Sequence, residues 1–100
     1  MTKRSDALPR ERVEAALSYL RREFQDGVSE HETPSGSLHV IAREGGAEYE
    51  VEFSREFLDE HGPAEIIRLL TDWNLAAEMR RVDGLAVAVS TAGIRLDSSN

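Results

Sequence analysis

Leu38-His39-Val40-Ile41-Ala42-Arg43-Glu44-Gly45-Gly46-Ala47-Glu48-Tyr49-Glu50-Val51-Glu52-Phe53 decides the fold class. Two glycines at the centre suit a two-residue primed turn, which requires positive φ. Closing that turn between Glu44 and Ala47 pairs Arg43 with Glu48, Ala42 with Tyr49, Ile41 with Glu50, Val40 with Val51, His39 with Glu52 and Leu38 with Phe53. Leu38, Val40, Ala42, Tyr49, Val51 and Phe53 then share one face, because side chains alternate along a strand. The opposite face collects Arg43, His39, Glu48, Glu50 and Glu52. A slip of one residue would mix the two faces, so the pattern specifies its own register.

Upstream, Val28 to Thr33 alternates weakly and ends in the turn-rich Pro34-Ser35-Gly36. This segment reads as a polar edge strand in which Glu30 and Glu32 discourage further pairing. Before it, Val13, Ala16, Leu17, Leu20 and Phe24 recur at helical spacing. Pro9 suits a first turn and Gly27 a left-handed stop, which predicts a helix over Pro9–Asp26.

Downstream of the hairpin, Ser54 is placed to cap a short helix over Arg55–His61, ended by Gly62. Pro63 opens a second helix with Ile66, Ile67, Leu69, Leu70 and Trp73 on its apolar face. The stripe loses phase after Trp73, so a break is expected there, with Asp72 or Asn74 capping a third helix to about Arg81. Asp83-Gly84 closes the helical region. Leu85–Ser90 is apolar on both faces and reads as a covered strand. Thr91-Ala92-Gly93 reads as a three-residue hairpin loop leading to a short strand with Ile94 and Leu96.

The expected fold is α+β: an N-terminal helix, an antiparallel β-meander or hairpin, a middle of two or three short helices, and a C-terminal β-hairpin. The helices should pack on one face of a largely antiparallel sheet. One domain should span residues 1–100, with residues 1–8 and 97–100 as flexible tails.

The chain has no cysteine, which removes disulfides, thiolate metal sites and cysteine nucleophiles together. No apolar run approaches the ~20 residues of a membrane span, and the polar N-terminus does not resemble a secretory leader, so a cytoplasmic location is expected. The net charge is −7, and its placement is uneven. Residues 1–27 balance at +1, residues 28–65 at −8, and residues 66–100 at zero. Phosphate binding relies on basic side chains, so the acidic middle argues against nucleic acid and anionic membranes as partners. It suits a basic protein partner or a solubilising surface.

Candidate chemistry is sparse. His31, His39 and His61 lack the spacing that places two imidazoles on one metal, so no cofactor or metal is expected. Alternating glutamates on one strand are what a half-exposed strand shows. No serine lies in a nucleophile signature. The basic doublets Arg21-Arg22 and Arg80-Arg81 each have acidic neighbours.

These features point to a non-catalytic protein-interaction module of adaptor, chaperone-like, inhibitor or immunity type. Arg43, His39, Glu48, Glu50 and Glu52 are its candidate face, and Trp73 a candidate anchor. The rival reading is a small-ligand or metal-assisted enzyme using the three histidines with nearby glutamates. Monomer and homodimer are both compatible with the sequence.

Overall fold

A computed structural model describes residues 8–82 and 86–97. Helix α1 (Arg10–Glu23) is followed by strands β1 (Val28–Glu32), β2 (Leu38–Glu44) and β3 (Ala47–Phe53). Helices α2 (Arg55–Glu60), α3 (Pro63–Trp73) and α4 (Leu75–Arg81) come next, then strands β4 (Ala86–Ser90) and β5 (Gly93–Asp97). The five strands form one sheet in the order β1-β2-β3-β4-β5.

The β2–β3 register is the one the hairpin sequence specifies, from Leu38↔Phe53 to Glu44↔Ala47. Gly45 and Gly46 both hold positive φ, at 59° and 87°. That pair of values is the requirement of a primed turn and explains why two glycines stand there. Leu38, Val40, Ala42, Val51 and Phe53 are all buried. The polar segment Val28–Glu32 is indeed an edge strand, paired antiparallel to β2.

The sheet is mixed rather than wholly antiparallel. β3 and β4 run parallel, Val51 lying beside Val87 and Phe53 beside Val89. The cause is the path between them. Three helices carry the chain back to the end where β3 began, and a crossover of that kind returns a parallel strand. The remaining pairs are antiparallel, including β4–β5. The C-terminal hairpin closes on Ser90↔Gly93 and leaves two residues in the loop rather than three. Gly93 has φ +119°.

The helices pack on one face of the sheet. Val13, Ala16, Leu17, Leu20 and Phe24 of the first helical stripe are all buried. They meet Leu38, Val40, Val51, Phe53, Val87 and Val89 from the sheet and Phe57, Leu58, Ile66, Leu70, Leu75 and Met79 from the other helices. Burial of each Val, Leu, Ile, Phe or Met among them stabilises by about 1.5–3 kcal/mol before entropy is subtracted. Helix α1 stops at Glu23 with Phe24 as its extended C-cap, three residues short of the expected end. The Phe24 side chain is needed in the core, its ring 5.6 Å from that of Tyr49.

Ser54 caps α2 as its position suggested, its hydroxyl accepting from the Phe57 N–H at 3.0 Å. The break after Trp73 is present. Asn74 adopts the left-handed conformation (φ 57°, ψ 52°) and separates α3 from α4, with no side-chain cap bond to α4. Asparagine is among the few non-glycine residues that tolerate this region.

Leu8, the last residue of the expected N-terminal tail, is buried. Residues 1–7 and 98–100 lie outside the described residues, as do Asp83-Gly84 and Leu85.

Candidate functional site

Alternation along each strand turns a second set of side chains to the other face of the sheet, over which no helix packs among the described residues. Two cross-sheet rows are central to it. The first runs His31, His39, Glu52, Ala88, Arg95, and the second runs Ser29, Ile41, Glu50, Ala86, Asp97. Arg43 and Glu48 form the start of a third row. All five residues expected to build the charged face are therefore on it, carried by β2 and β3.

Their contacts differ in one respect from the simple opposite-pair reading. His39 stands opposite Glu52 in the register, but its Nε2 lies 3.3 Å from Glu50 Oε1, on the diagonal. Glu52 is taken by Ser37, whose hydroxyl donates to Oε2. Ser37 is itself buried and also hydrogen-bonded to Thr33. This clasp between the β1–β2 turn and the middle strand was not legible beforehand, because Ser37 lies outside the alternating segment. Arg43 donates through Nε to Glu48 Oε2 at 3.2 Å and through Nη1 to Ser29 Oγ at 2.9 Å.

Glu48 and Glu50 remain more than half exposed, at 59% and 53% of their side-chain area. Water and salt therefore screen them. The His39 ring is only 20% exposed. It packs against His31 at 4.9 Å between centroids, and its Nδ1 is buried with no hydrogen-bond partner among the described residues.

His61 is placed elsewhere. It ends α2, with Nδ1 2.8 Å from the Phe57 carbonyl oxygen and its ring 4.8 Å from that of Phe57. Two of the three histidines thus come together and the third belongs to the helix layer. Among the described residues no group of three or more His, Cys, Asp or Glu side chains is arranged to hold a metal ion.

Trp73 is half-buried on the helix layer, its ring 5.9 Å from Phe57, and so does not share the acidic face. The basic doublets are largely neutralised within the fold. Arg21 meets Glu14, Arg81 meets Glu78, and Arg80 meets Glu44 and Glu23. Arg80 also donates to the Glu23 carbonyl at 2.8 Å and lies 4.6 Å from the Phe24 ring centroid, tying α4 to the end of α1. Hydrogen bonding from Arg80 holds the Glu44 carboxyl below its ordinary range and raises the guanidinium in return. Arg10 and then Arg21 lower Glu14 in the same way.

A cleft of about 390 Å³ opens where β3 and β4 end. Ser37, Ser54, Ser90, Arg55, Arg95 and Glu52 are among the residues that line it. Crevices at the carboxyl ends of parallel strands are common ligand positions. The sequence offered no sign of this one, since its serines and arginines come from four separated segments. Gly36 lets the turn approach Arg55 closely. A Cβ built there would stand 3.2 Å from Arg55 Nε, and its φ of +92° disfavours a side chain independently.

No helix of the described residues is long and apolar enough to cross a membrane. Comparison with protein-family models, curated proteins and solved structures returned no match.

Proposed function

We propose that the chain is a non-catalytic protein-interaction module that receives a basic segment of its partner on the helix-free face of the sheet. One observation carries this reading. Glu48 and Glu50, both more than half exposed, project with Glu52 from the middle strand, on a face over which no helix packs among the described residues. Carboxylates in a row, about 7 Å apart along a strand, match the side-chain spacing of an extended lysine- or arginine-bearing segment. Arg43 and His39 flank the row and would fix the direction of approach, since opposite charges laid side by side penalise a reversed partner.

The experiment compares the wild-type chain with Glu48→Gln/Glu50→Gln as baits for a stoichiometric partner in native lysate. Glu52 is left intact because Ser37 depends on it. The expected result is a partner held by the wild type at low salt, released as salt rises, and held much less by the variant. A partner retained equally by both, or none retrieved by the wild type, overturns the reading.

A further inference from the structure

Strand β5 ends the sheet, with β4 on one side and no strand on the other among the described residues. In an antiparallel ladder, residues alternate between turning both backbone polar groups toward a neighbour and turning them away. The Ser54 N–H donates to the Val89 carbonyl at 2.9 Å, so Val89 directs its polar groups to β3 and not to β5. Its β5 partner, Ile94, must then direct its own N–H and C=O outward, and so must Leu96, two residues on. These are also the apolar residues of the strand. Leu96 is 44% exposed, the single large hydrophobic side chain exposed among the described residues, and Ile94 is only partly buried.

We propose that β5 pairs antiparallel with β5 of a second copy of this chain, about a two-fold axis at Leu96, to give one sheet continuous across two chains. The register follows from charge and from the ladder. Outward-facing residues must meet outward-facing residues, so each residue pairs with one of its own parity. An axis at Arg95 would set two arginines directly opposite, which is destabilising. An axis at Ile94 would set Arg95 against Gly93 and leave both charges unanswered. An axis at Leu96 sets Leu96 against Leu96 on the helix side. On the open side it sets position 95 against position 97, an arginine facing an aspartate on both sides of the axis. The run Arg95-Leu96-Asp97 is thus complementary to itself, which is why a second copy is the occupant. The contact is isologous and closes, so it ends at two chains.

Light scattering of the full chain over a concentration series up to about 1 mM, where contacts of millimolar affinity are populated, gives the test. The wild-type mass should rise from 11.2 kDa toward twice that value. Leu96→Lys, Arg95→Asp and Asp97→Arg should each weaken association by about tenfold or more, because each turns cross-strand attraction into repulsion or buries a charge. The double variant Arg95→Asp/Asp97→Arg should restore it, since the swapped charges again face each other. That recovery also shows that the single changes did not act by unfolding β5. Amide exchange at Leu96 should slow as concentration rises. A wild-type chain that stays at 11.2 kDa throughout overturns the proposal, as does a dimer indifferent to these substitutions or a double variant that stays monomeric. Glu48→Gln/Glu50→Gln should leave the dimer intact, so this result and that for the acidic face can fail separately.

Discussion

The two edges of the sheet are built to opposite rules. At β1 the outer strand reads Val-Ser-Glu-His-Glu, and its glutamates are tied to the chain that enters α1. Arg10 meets Glu30 at 2.9 Å, and the Leu8 N–H donates to Glu32 at 3.1 Å. Charge and a crossing segment together keep another strand away. At β5 the strand reads Gly-Ile-Arg-Leu-Asp, its outward residues are apolar, and Leu96 is exposed. Both strands satisfy the same sheet from within. One edge is closed by side chains, and the other has the hydrogen-bonding capacity and the self-complementary charges to be extended.

The comparison depends on a rigid middle, and the largest expected effect comes from breaking it. Phe53 lies on β3, packs near the Phe57 ring, and is fully buried. Phe53→Ala should cost about 3–5 kcal/mol through lost burial and the cavity left behind. Urea unfolding would measure it, and both edges should lose exchange protection together. Loss confined to β5 would mean that the strand is not held by the common core.

Ser54 tests the junction between the two halves of the sheet. Its hydroxyl caps α2 and its N–H donates to Val89, the residue whose orientation leaves Ile94 facing outward. Ser54→Ala removes the cap and keeps the backbone bond, so stability should fall by about 1 kcal/mol while the amide pattern at β5 persists. A denaturation series and amide exchange on the same sample would show both.

The closed edge can also be opened. In the Leu96→Lys background, where β5 is blocked, Glu30→Val/Glu32→Val removes the guarding charges of β1. Losing the Glu32 hydrogen bond should cost about 0.5–1.5 kcal/mol, and concentration-dependent association should appear at the other edge. A chain that stays monomeric would show that the segment crossing from Leu8 to Arg10 closes β1 without the carboxylates.

How far the sequence could lead depended on whether a feature is local. The β2–β3 register was legible because one pairing alone puts six apolar residues on one face and five polar ones, with Ile41, on the other, and two glycines set the turn. The break at Asn74 was legible because the apolar stripe lost phase there. The parallel β3–β4 pairing was not, since nothing within Ala86–Ser90 records the route the chain takes to reach it. The charged face and its Arg43–Glu48 pair were legible, but the partners of His39 and Glu52 were not: Ser37 competes for Glu52 across 15 positions of sequence, and His39 turns to the diagonal carboxylate instead. The Tyr19 hydroxyl, which accepts from the Ala76 N–H at 3.1 Å, joins helices that no periodicity relates. Alternation is a statement about one element, whereas the cleft, the clasp and the edges arise between elements.

The smallest expected effect concerns acid, and it distinguishes a clip on the helix side from the guards of β1. Arg80 reaches from α4 to Glu44, the last residue of β2, with Nε and Nη2 each 2.9 Å from a carboxylate oxygen. That bonding lowers the folded Glu44 pKa below its ordinary value of 4.5. Unfolding therefore raises its proton affinity, and the unfolded chain binds more protons wherever the two forms differ. The stabilisation from this group is complete above the ordinary value and is lost as pH falls through the lower, folded one. Glu44→Gln has no charge to lose, so its stability curve should be flatter on the acid side and lie slightly below the wild type near neutrality. Because the pair is solvent-screened, the difference near neutrality should shrink as salt is added. Thermal melts from pH 3 to pH 7 at two salt concentrations would resolve it. If the two curves run parallel, Arg80 holds α4 through its bond to the Glu23 carbonyl and its contact with Phe24, and the β2 end contributes position without charge.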